Sequence, residues 1–438
     1  MYVSFDDTDS NKGLCTTYLA TEVIDKINLD LIGYPRLIRL NPAVPWKTRG
    51  NGSLFMKFGK GYGVKKEIGE INGKKIYSYL KSKKIFMDES ELMEELLPII
   101  KNNRCPESDT GVIVSRKKPS PFLYWKGVRQ IVEKQEVLDI LNEIGAEYHE
   151  FGNGRGLIGA ACAMACRPRD RTYEYIAYRK KENWGTEREF DRYSVKEMNK
   201  KVTSTFNNWE EETQKPCIFP GTPCPVLYGI RGDSYADLFK AADLVKTETV
   251  DRHVIFQTNQ GSDDHVLRKF DSLIPLSSYQ IEGKVVKIEK ISGGHLIFVV
   301  ETSFGNVDCT VYEPAKTFRN AITWLSPGDR VEVIGELRET PRTLNVEKLN
   351  VVSLTKELEK ISNPLCEVCG RRMESVGKNK GYRCRDCKTT SSEAIYKENI
   401  RWILPGWYEP PPSARRHLSK PLKRMNEEQP LSFVNSRI

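Results

Sequence analysis

No run of apolar residues in this chain approaches the roughly 18 that a membrane-spanning helix requires. The longest, 157–166, is interrupted by Gly159 and fits a helix buried in a globular domain. The chain also lacks a basic stretch followed by an apolar signal region at its start. An apolar strand stands there instead, so secretion is not expected and a cytoplasmic location is. Cysteine is too thinly spread for a disulfide framework: there are eleven, and four in paired spacing suggest a metal in a reducing compartment. A dinucleotide fingerprint is missing as well. Gly152-Asn153-Gly154-Arg155-Gly156 has the wrong spacing for one and the wrong preceding strand.

What is present fits a soluble protein of several domains. The 438 residues suggest about three domains, with four small ones also possible. The 39% apolar content is enough for cores of that size, and 29% charge is ordinary. The net charge of +9 is uneven, because residues 364–438 carry 15 Lys/Arg against 8 Asp/Glu. Such a basic end suggests an accessory grip on a polyanion, nucleic acid above all, with a solvated tail as the alternative.

The expected fold class is multidomain α/β and α+β. Residues 1–144 mix candidate strands (2–5, 36–40, 53–58, 111–115) with candidate helices (16–26, 89–101, 127–144), which favours layered α/β packing. The stretch 61–88, rich in Gly, Lys and Ser, is expected to be a lid or an edge insertion. Residues 145–272 form a second α/β or α+β unit with strands near 172–178 and 253–258 and a proline-rich loop at 216–225. Residues 273–358 then show five strand-like runs (279–289, 295–302, 306–312, 330–336, 344–352) separated by turns. Gly293-Gly294 and Gly305-Asn306 mark hairpins, and Ser326-Pro327-Gly328-Asp329 marks the turn into the fourth strand. Five strands in such a length fit an OB-type barrel, a fold that often holds nucleic acid. In 359–438, Cys366-Glu367-Val368-Cys369 and Cys384-Arg385-Asp386-Cys387 supply four thiolates for a structural zinc. The remaining tail reads as a short helix and a largely extended segment.

The densest chemistry lies at the start. Asp6, Asp7 and Asp9 follow an apolar strand, and Gly13, Thr16 and Thr17 follow them where a helix begins. Like charges packed together repel, whereas a divalent cation and a phosphate would reverse that cost. Magnesium is therefore expected on the three aspartates. Lys12 and the backbone around Gly13 would face phosphate oxygens, and Thr16 or Thr17 would be a phosphoryl acceptor or a metal-bound hydroxyl. A solvated turn capping the helix is the alternative. The loop 41–52 adds Lys47 and Arg49 around a hydroxyl, suited to clamping phosphates or RNA, or else an irregular surface connection. Gly152, Asn153, Gly154 and Arg155 precede an apolar helix and could frame an anion or ligand pocket. Arg231, Asn259, Asp264 and His265 add polar groups at strand ends, each weak when taken alone.

Taken together these motifs resemble one family. Asp6-Asp7-Thr8-Asp9-Ser10 with Cys15-Thr16-Thr17-Tyr18, Pro45-Trp46-Lys47-Thr48-Arg49-Gly50-Asn51-Gly52, Gly152-Asn153-Gly154-Arg155-Gly156-Leu157-Ile158-Gly159, Thr258-Asn259-Gln260-Gly261 and Asp264-His265 are similar to the archaeal agmatidine synthetases, TiaS. The resemblance implies a kinase-like ATP and magnesium domain at 1–144, a ferredoxin-like agmatine-binding domain at 145–272, an OB fold at 273–358 and a zinc ribbon with a basic tail at 359–438. It implies replacement of the 2-oxo group of a wobble cytidine by agmatine, in an isoleucine tRNA with a CAU anticodon. ATP would be consumed to AMP and phosphate, with Thr16, or Thr17 if the alignment slips by one, carrying a phosphoryl group. Lys47 and Arg49 would steady phosphates or the flipped base, and agmatine would lie near 152–156 and 263–264. No obligate protein partner is implied. Two other classes remain open, a non-catalytic RNA-binding protein and a magnesium-dependent phosphohydrolase.

Overall fold

The structure, a computed structural model, describes residues 1–10, 13–48, 50–291, 294–312 and 315–430. Its first elements are β1 (Tyr2–Asp6), α1 (Thr16–Lys26), β2 (Asp30–Ile32), β3 (Arg36–Arg39), β4 (Gly52–Ile71), β5 (Lys74–Lys83) and α2 (Glu89–Asn103). Then come β6 (Gly111–Ser115), α3 (Pro121–Arg129), α4 (Lys134–Ile144), β7 (Glu147–Glu150), α5 (Gly156–Ala165), β8 (Thr172–Arg179) and α6 (Arg192–Lys201). These lead to β9 (Thr205–Phe206), β10 (Trp209–Glu210), β11 (Lys215–Pro216), β12 (Val226–Gly232), α7 (Tyr235–Leu244), β13 (Val250–Thr258) and β14 (Val266–Leu267).

One compact unit comprises Met1–Ile281, Val333–Lys348 and Glu409–Glu428. Its main sheet runs β7-β6-β1-β4-β3-β13-β8-β12-β9, with β2 and β5 attached to β4. The alternation of β1 decides its layers, because successive side chains point to opposite faces. Val3 and Phe5 pack with α1 and α2 residues such as Leu19, Val23, Leu92 and Leu96. Phe55 and Ile113 face the opposite cluster, built from α3, α4 and α5. Ser4 belongs to that second face, and its Oγ lies 2.6 Å from both the Leu54 and Ala160 carbonyl oxygens. Helix α5 is buried at nine of its ten positions, as its apolar run predicts.

Three elements depart from the sequence expectations. The stretch from 61, expected as a lid or an edge insertion, is no lid but one end of a long hairpin of β4 and β5 off the main path of the sheet, turning at Asn72 and Gly73, both with positive φ. The helix expected over 127–144 is two helices. The first starts earlier, at Ser120-Pro121, where the Ser120 hydroxyl accepts the Phe122 amide and proline takes the first turn. The last part of the basic end, residues 409–428, is not a solvated tail. Within this unit Arg415 pairs with Glu409, Arg416 with Glu336 and Glu347, and Lys420 and Arg424 with Asp170.

The second unit comprises Glu282–Glu332 and Leu349–Tyr408 with residues 429–430 of the described chain. The elements from 277 onward are β15 (Ser277–Lys290), β16 (Leu296–Thr302), β17 (Gly305–Val311), α8 (Lys316–Ile322), β18 (Arg330–Leu337) and β19 (Leu344–Ser353). All five strands expected for the OB fold form within one or two residues of the predicted bounds. The path β15-β16-β17-β19-β18 returns to β15 through a β15–β18 pairing. The Ser326–Asp329 turn is held by Asp329, which is fully buried, accepts the Ser326 and Thr355 amides and pairs with Arg401 at 2.6 Å. Gly293 of the expected Gly293-Gly294 hairpin lies outside the described residues. Beyond β19 lie β20 (Leu358–Ser362), β21 (Glu374–Ser375), β22 (Tyr382–Arg383), β23 (Thr390–Ser391), β24 (Ile395–Glu398), β25 (Gly406–Tyr408) and, in the first unit, the short α9 (Leu422–Met425).

Candidate active site

A cavity of about 750 Å³ in the first unit collects most of the chemistry expected from the sequence. It opens where β1 ends and α1 begins, and is lined by Asp6, Asp7, Asp9, Thr16, Thr17, Lys47, Arg155 and Arg231. Of the other expected residues, Lys12 and Arg49 lie outside the described residues.

Backbone geometry aims the acidic turn. Asp6 is the last residue of β1 and shares the Ser4 face, so its carboxylate points at α5. Gly159 makes room for it: a Cβ there would lie 1.8 Å from Asp6 Oδ2 and 2.6 Å from Ser53 Oγ. Asp7 takes φ +54, a left-handed conformation that turns the chain out of the strand. Burial pushes the Asp6 carboxyl up to about 7, with Asp7 adding to the rise and Ser53 opposing it. Burial also pushes Asp7 up to about 6, reinforced by Asp109 and Asp9 and opposed by Arg155. Thr48 donates to Asp9 at 3.3 Å, tying the 41–52 loop to the acidic turn.

Helix α1 presents its N-terminus to the same cavity. Cys15 stands at the cap position with no side-chain cap hydrogen bond, so first-turn amides and the positive end of the helix dipole face the space. The Thr8 hydroxyl donates to Thr16 Oγ1 at 3.1 Å, and Cys15 Sγ lies 3.0 Å from Thr17 Oγ1. Both threonines are nearly buried but line the cavity.

Several cavity residues did not stand out in the sequence. Arg39 ends β3 and reaches the wall, its position fixed by Asn259. The Asn259 side chain exchanges two 2.8 Å hydrogen bonds with the Arg39 backbone. Glu174 is a buried acid on β8, bonded to Arg231 at 3.0 Å and to Gln260 at 2.6 Å. Apart from the three aspartates it is the only carboxylate lining the cavity among the described residues. A lone glutamate within the apolar run of β8 was the available signal, because unpaired buried acids are rare. Trp46 is half exposed at the cavity, with the Arg155 guanidinium 4.8 Å from its ring centroid.

Other expected residues sit elsewhere. Lys47 lines the cavity, yet its ammonium donates to the Pro42 and Val44 carbonyls of its own loop at 2.7 and 3.0 Å. Gly152, Asn153 and Gly154 form the turn before α5 and do not line the cavity. The Asn153 amide donates to Asp109 Oδ1, and a Cβ at Gly152, whose φ is +61, would meet the same oxygen at 2.3 Å. Asp264 is buried, accepting from the Tyr124 hydroxyl at 2.5 Å, and His265 is buried 3.0 Å from Glu347. Asn259, Asp264 and His265 thus brace the fold around the cavity instead of lining it. Gly13, with φ +155, forms a bridge with Ser10 ahead of α1.

In the second unit, ligand atoms of Cys366, Cys369, Cys384 and Cys387 all lie within 4.8 Å of one another. The Cys369 and Cys384 sulfurs are 3.6 Å apart, near the roughly 3.8 Å edge of a tetrahedron with zinc–sulfur bonds of about 2.3 Å. No helix among the described residues is long and apolar enough to cross a membrane.

Comparison with known proteins decides the family. TiaS of Archaeoglobus fulgidus, a 2-agmatinylcytidine synthetase for an isoleucine tRNA, is 40% identical over 98% of each chain. The chain belongs to the TiaS family. The family descriptions match in order: the TiaS TCKD domain at residues 2–153, the TiaS FLD domain at 154–265, an OB-fold nucleic acid binding domain at 279–352 and the TiaS C-terminal zinc ribbon domain at 363–403. A solved complex of TiaS with its isoleucine tRNA and ATP superposes with a TM-score of 0.84 at 38% identity, over 99% of each chain. A complex of TiaS with that tRNA, AMPCPP and agmatine does so with a TM-score of 0.82 at 35% identity, also over 99% of each chain. The TiaS zinc ribbon is therefore where the four cysteines converge.

Proposed function

We propose that this chain is an ATP-dependent ligase that attaches agmatine to the 2-oxo carbon of the wobble cytidine of isoleucine tRNA with a CAU anticodon, so that the tRNA decodes AUA. A solved relative with tRNA, a nucleotide analogue and agmatine supports this substrate set. One observation within the chain carries the reading. Three aspartates, the uncapped start of α1 with Thr16 and Thr17, and the cations Arg39, Arg155 and Arg231 share one cavity.

That arrangement suits phosphoryl transfer, which depends mainly on positioning and charge stabilisation. The α1 amides and the arginines would hold the triphosphate, and Thr16 is the proposed phosphoryl carrier, with Thr17 the rival. Magnesium fits the donor set. Carboxylates raised by burial and by one another are what a divalent cation would return to the ionised form. The three aspartates do not converge as the cysteines do, which suits an ion held by one or two carboxylates plus phosphate oxygens. When bound, magnesium would supply charge neutralisation at the phosphates. The exposed ring of Trp46 gives a flipped base a stacking surface. A phosphoryl group on the cytidine O2 makes that oxygen a leaving group, and the agmatine amine displaces it as phosphate. ATP going to AMP gives up a second phosphoryl group, the one the threonine would carry, and water releases that one as phosphate. Glu174 is the proposed partner for a cationic end of agmatine.

The proposed division of labour is a kinase-like ATP domain at 1–144, a ferredoxin-like agmatine domain at 145–272, an OB-fold RNA-binding domain at 273–358 and a zinc ribbon with tail at 359–438. The proposed location is the cytoplasm, in keeping with a tRNA substrate. The test is incubation with the CAU-anticodon tRNA, ATP, magnesium and labelled agmatine. Label entering the tRNA supports the proposal, and tRNA that is bound but stays unlabelled sinks it.

A further inference from the structure

A second group of cations lies on the α5 face of the main sheet, at the end away from the acidic turn. Tyr2 and Asp6 share that face of β1, and four residues of strand separate them by about 13 Å. The rings of Tyr2 and Phe55 stand 5.9 Å apart. Lys118 Nζ lies 4.1 Å from the Phe55 centroid and 4.9 Å from that of Tyr2. The Arg36 guanidinium lies 5.4 Å from Phe55, and Lys57 Nζ 5.9 Å from Tyr2. Arg167, exposed just beyond α5, is the next cation felt at Lys118.

Among the described residues no carboxylate pairs with Arg36, Lys57, Lys118 or Arg167. Arg415, Arg416, Lys420 and Arg424, in contrast, are matched to Glu409, Glu336 and Asp170. Burial pushes the Lys118 ammonium down to about 7, and Arg36, Arg167 and Lys57 push it further in the same direction. The Arg36 contact with the Cys166 carbonyl at 3.1 Å caps the C-terminal end of α5, but a helix end supplies only about half a negative charge. Cation–π attraction returns about 0.5–2 kcal/mol per contact and leaves the like charges unneutralised, whereas a phosphate would neutralise them. None of the four lines the catalytic cavity.

We propose that Arg36, Lys57 and Lys118, gathered around the Tyr2–Phe55 pair, form with Arg167, whose charge acts on Lys118, a phosphate-binding subsite that grips the RNA substrate's backbone away from the reacting nucleotide. This rests on the proposed function, which supplies an RNA as the polyanion.

The test uses the full-length protein and the CAU-anticodon tRNA, with binding measured across a salt series for wild type, Lys118→Gln and Arg167→Gln. Each variant should bind more weakly and lose about one unit of the salt slope for each phosphate contact removed. ATP binding without RNA should not change. Arg167 is exposed, so its replacement keeps the test valid even if Lys118→Gln perturbs packing. Wild-type affinity and slope in both variants would overturn the subsite. So would variants that lose inorganic phosphate binding but keep the wild-type tRNA slope, because the site would then serve a small anion. Agmatine incorporation by the wild type, read in the same samples, judges the ligase assignment separately from the slopes.

Discussion

Gly159 on α5 and Asp6 at the end of β1 approach so closely that a single added carbon would fall 1.8 Å from the carboxylate oxygen. The helix can therefore cover the acidic turn only because that position has no side chain. Gly159→Ala must move the helix or the carboxylate. It should destabilise the protein by about 1–3 kcal/mol, as overpacking does, and reduce agmatine incorporation beyond what lost folding explains. Urea unfolding and the labelled-agmatine assay measure the two effects. Wild-type values for both would show that the contact carries no weight.

Asp7→Asn keeps the shape of the turn but removes a charge at the cavity. Loss of about 100-fold or more in incorporation is expected, the scale found when one transition-state stabiliser is removed. Binding of tRNA should persist. A variant that loses tRNA binding instead would place Asp7 in recognition and not in chemistry.

Lys118 has a folded pKa of about 7 against an ordinary 10.5. Between those values the unfolded chain holds a proton that the folded chain releases. Stability should therefore rise with pH over that interval, and the cost of the charge should be fully present below about pH 7. Comparing urea midpoints of wild type and Lys118→Met across this range isolates the contribution. The difference should be largest at neutral pH and shrink toward pH 10; a constant difference would contradict the shift.

Lys348 is fully buried, with its ammonium 2.5 Å from Asp263 Oδ2 and 2.8 Å from the Lys420 carbonyl. Asp263→Ala strands that charge and should cost about 3–5 kcal/mol. The double variant Asp263→Ala/Lys348→Met should recover much of the loss. Chemical denaturation of the three proteins provides the measurement, and additive losses would argue against the pairing.

The zinc ribbon has almost no core: Cys366, Met373 and Cys384, with Tyr382 and Cys387 beside them. So few apolar side chains cannot hold two-residue strands together without the metal. Chelation should release zinc and open residues 363–403 to limited proteolysis, while the first unit keeps its protection. Resistance of that segment after zinc loss would show that the thiols are not what holds it.

Signals that act locally were readable in the chain itself. The two CxxC pairs, the alternating runs of β15 to β19 and the apolar run of α5 each follow from neighbours a few residues apart. The acidic turn and the α1 start were legible for the same reason. Short-range spacing determines strand, turn and helix N-terminus, and these bring Asp6, Asp7 and Thr16 to one place. Tertiary packing alone decided which distant residues join them. Arg39 and Glu174 reach the cavity because β3, β8 and β13 share one sheet, while Asn259 and Asp264 brace the fold around it through the Arg39 backbone and the Tyr124 hydroxyl. Packing also set Arg416, Lys420 and Arg424, near the end of the basic stretch, in ion pairs with Glu336 and Asp170. Partners 80 to 254 residues away leave no trace in local spacing. Their choice is made by burial, which charges a high cost to any ion that does not find its counter-ion.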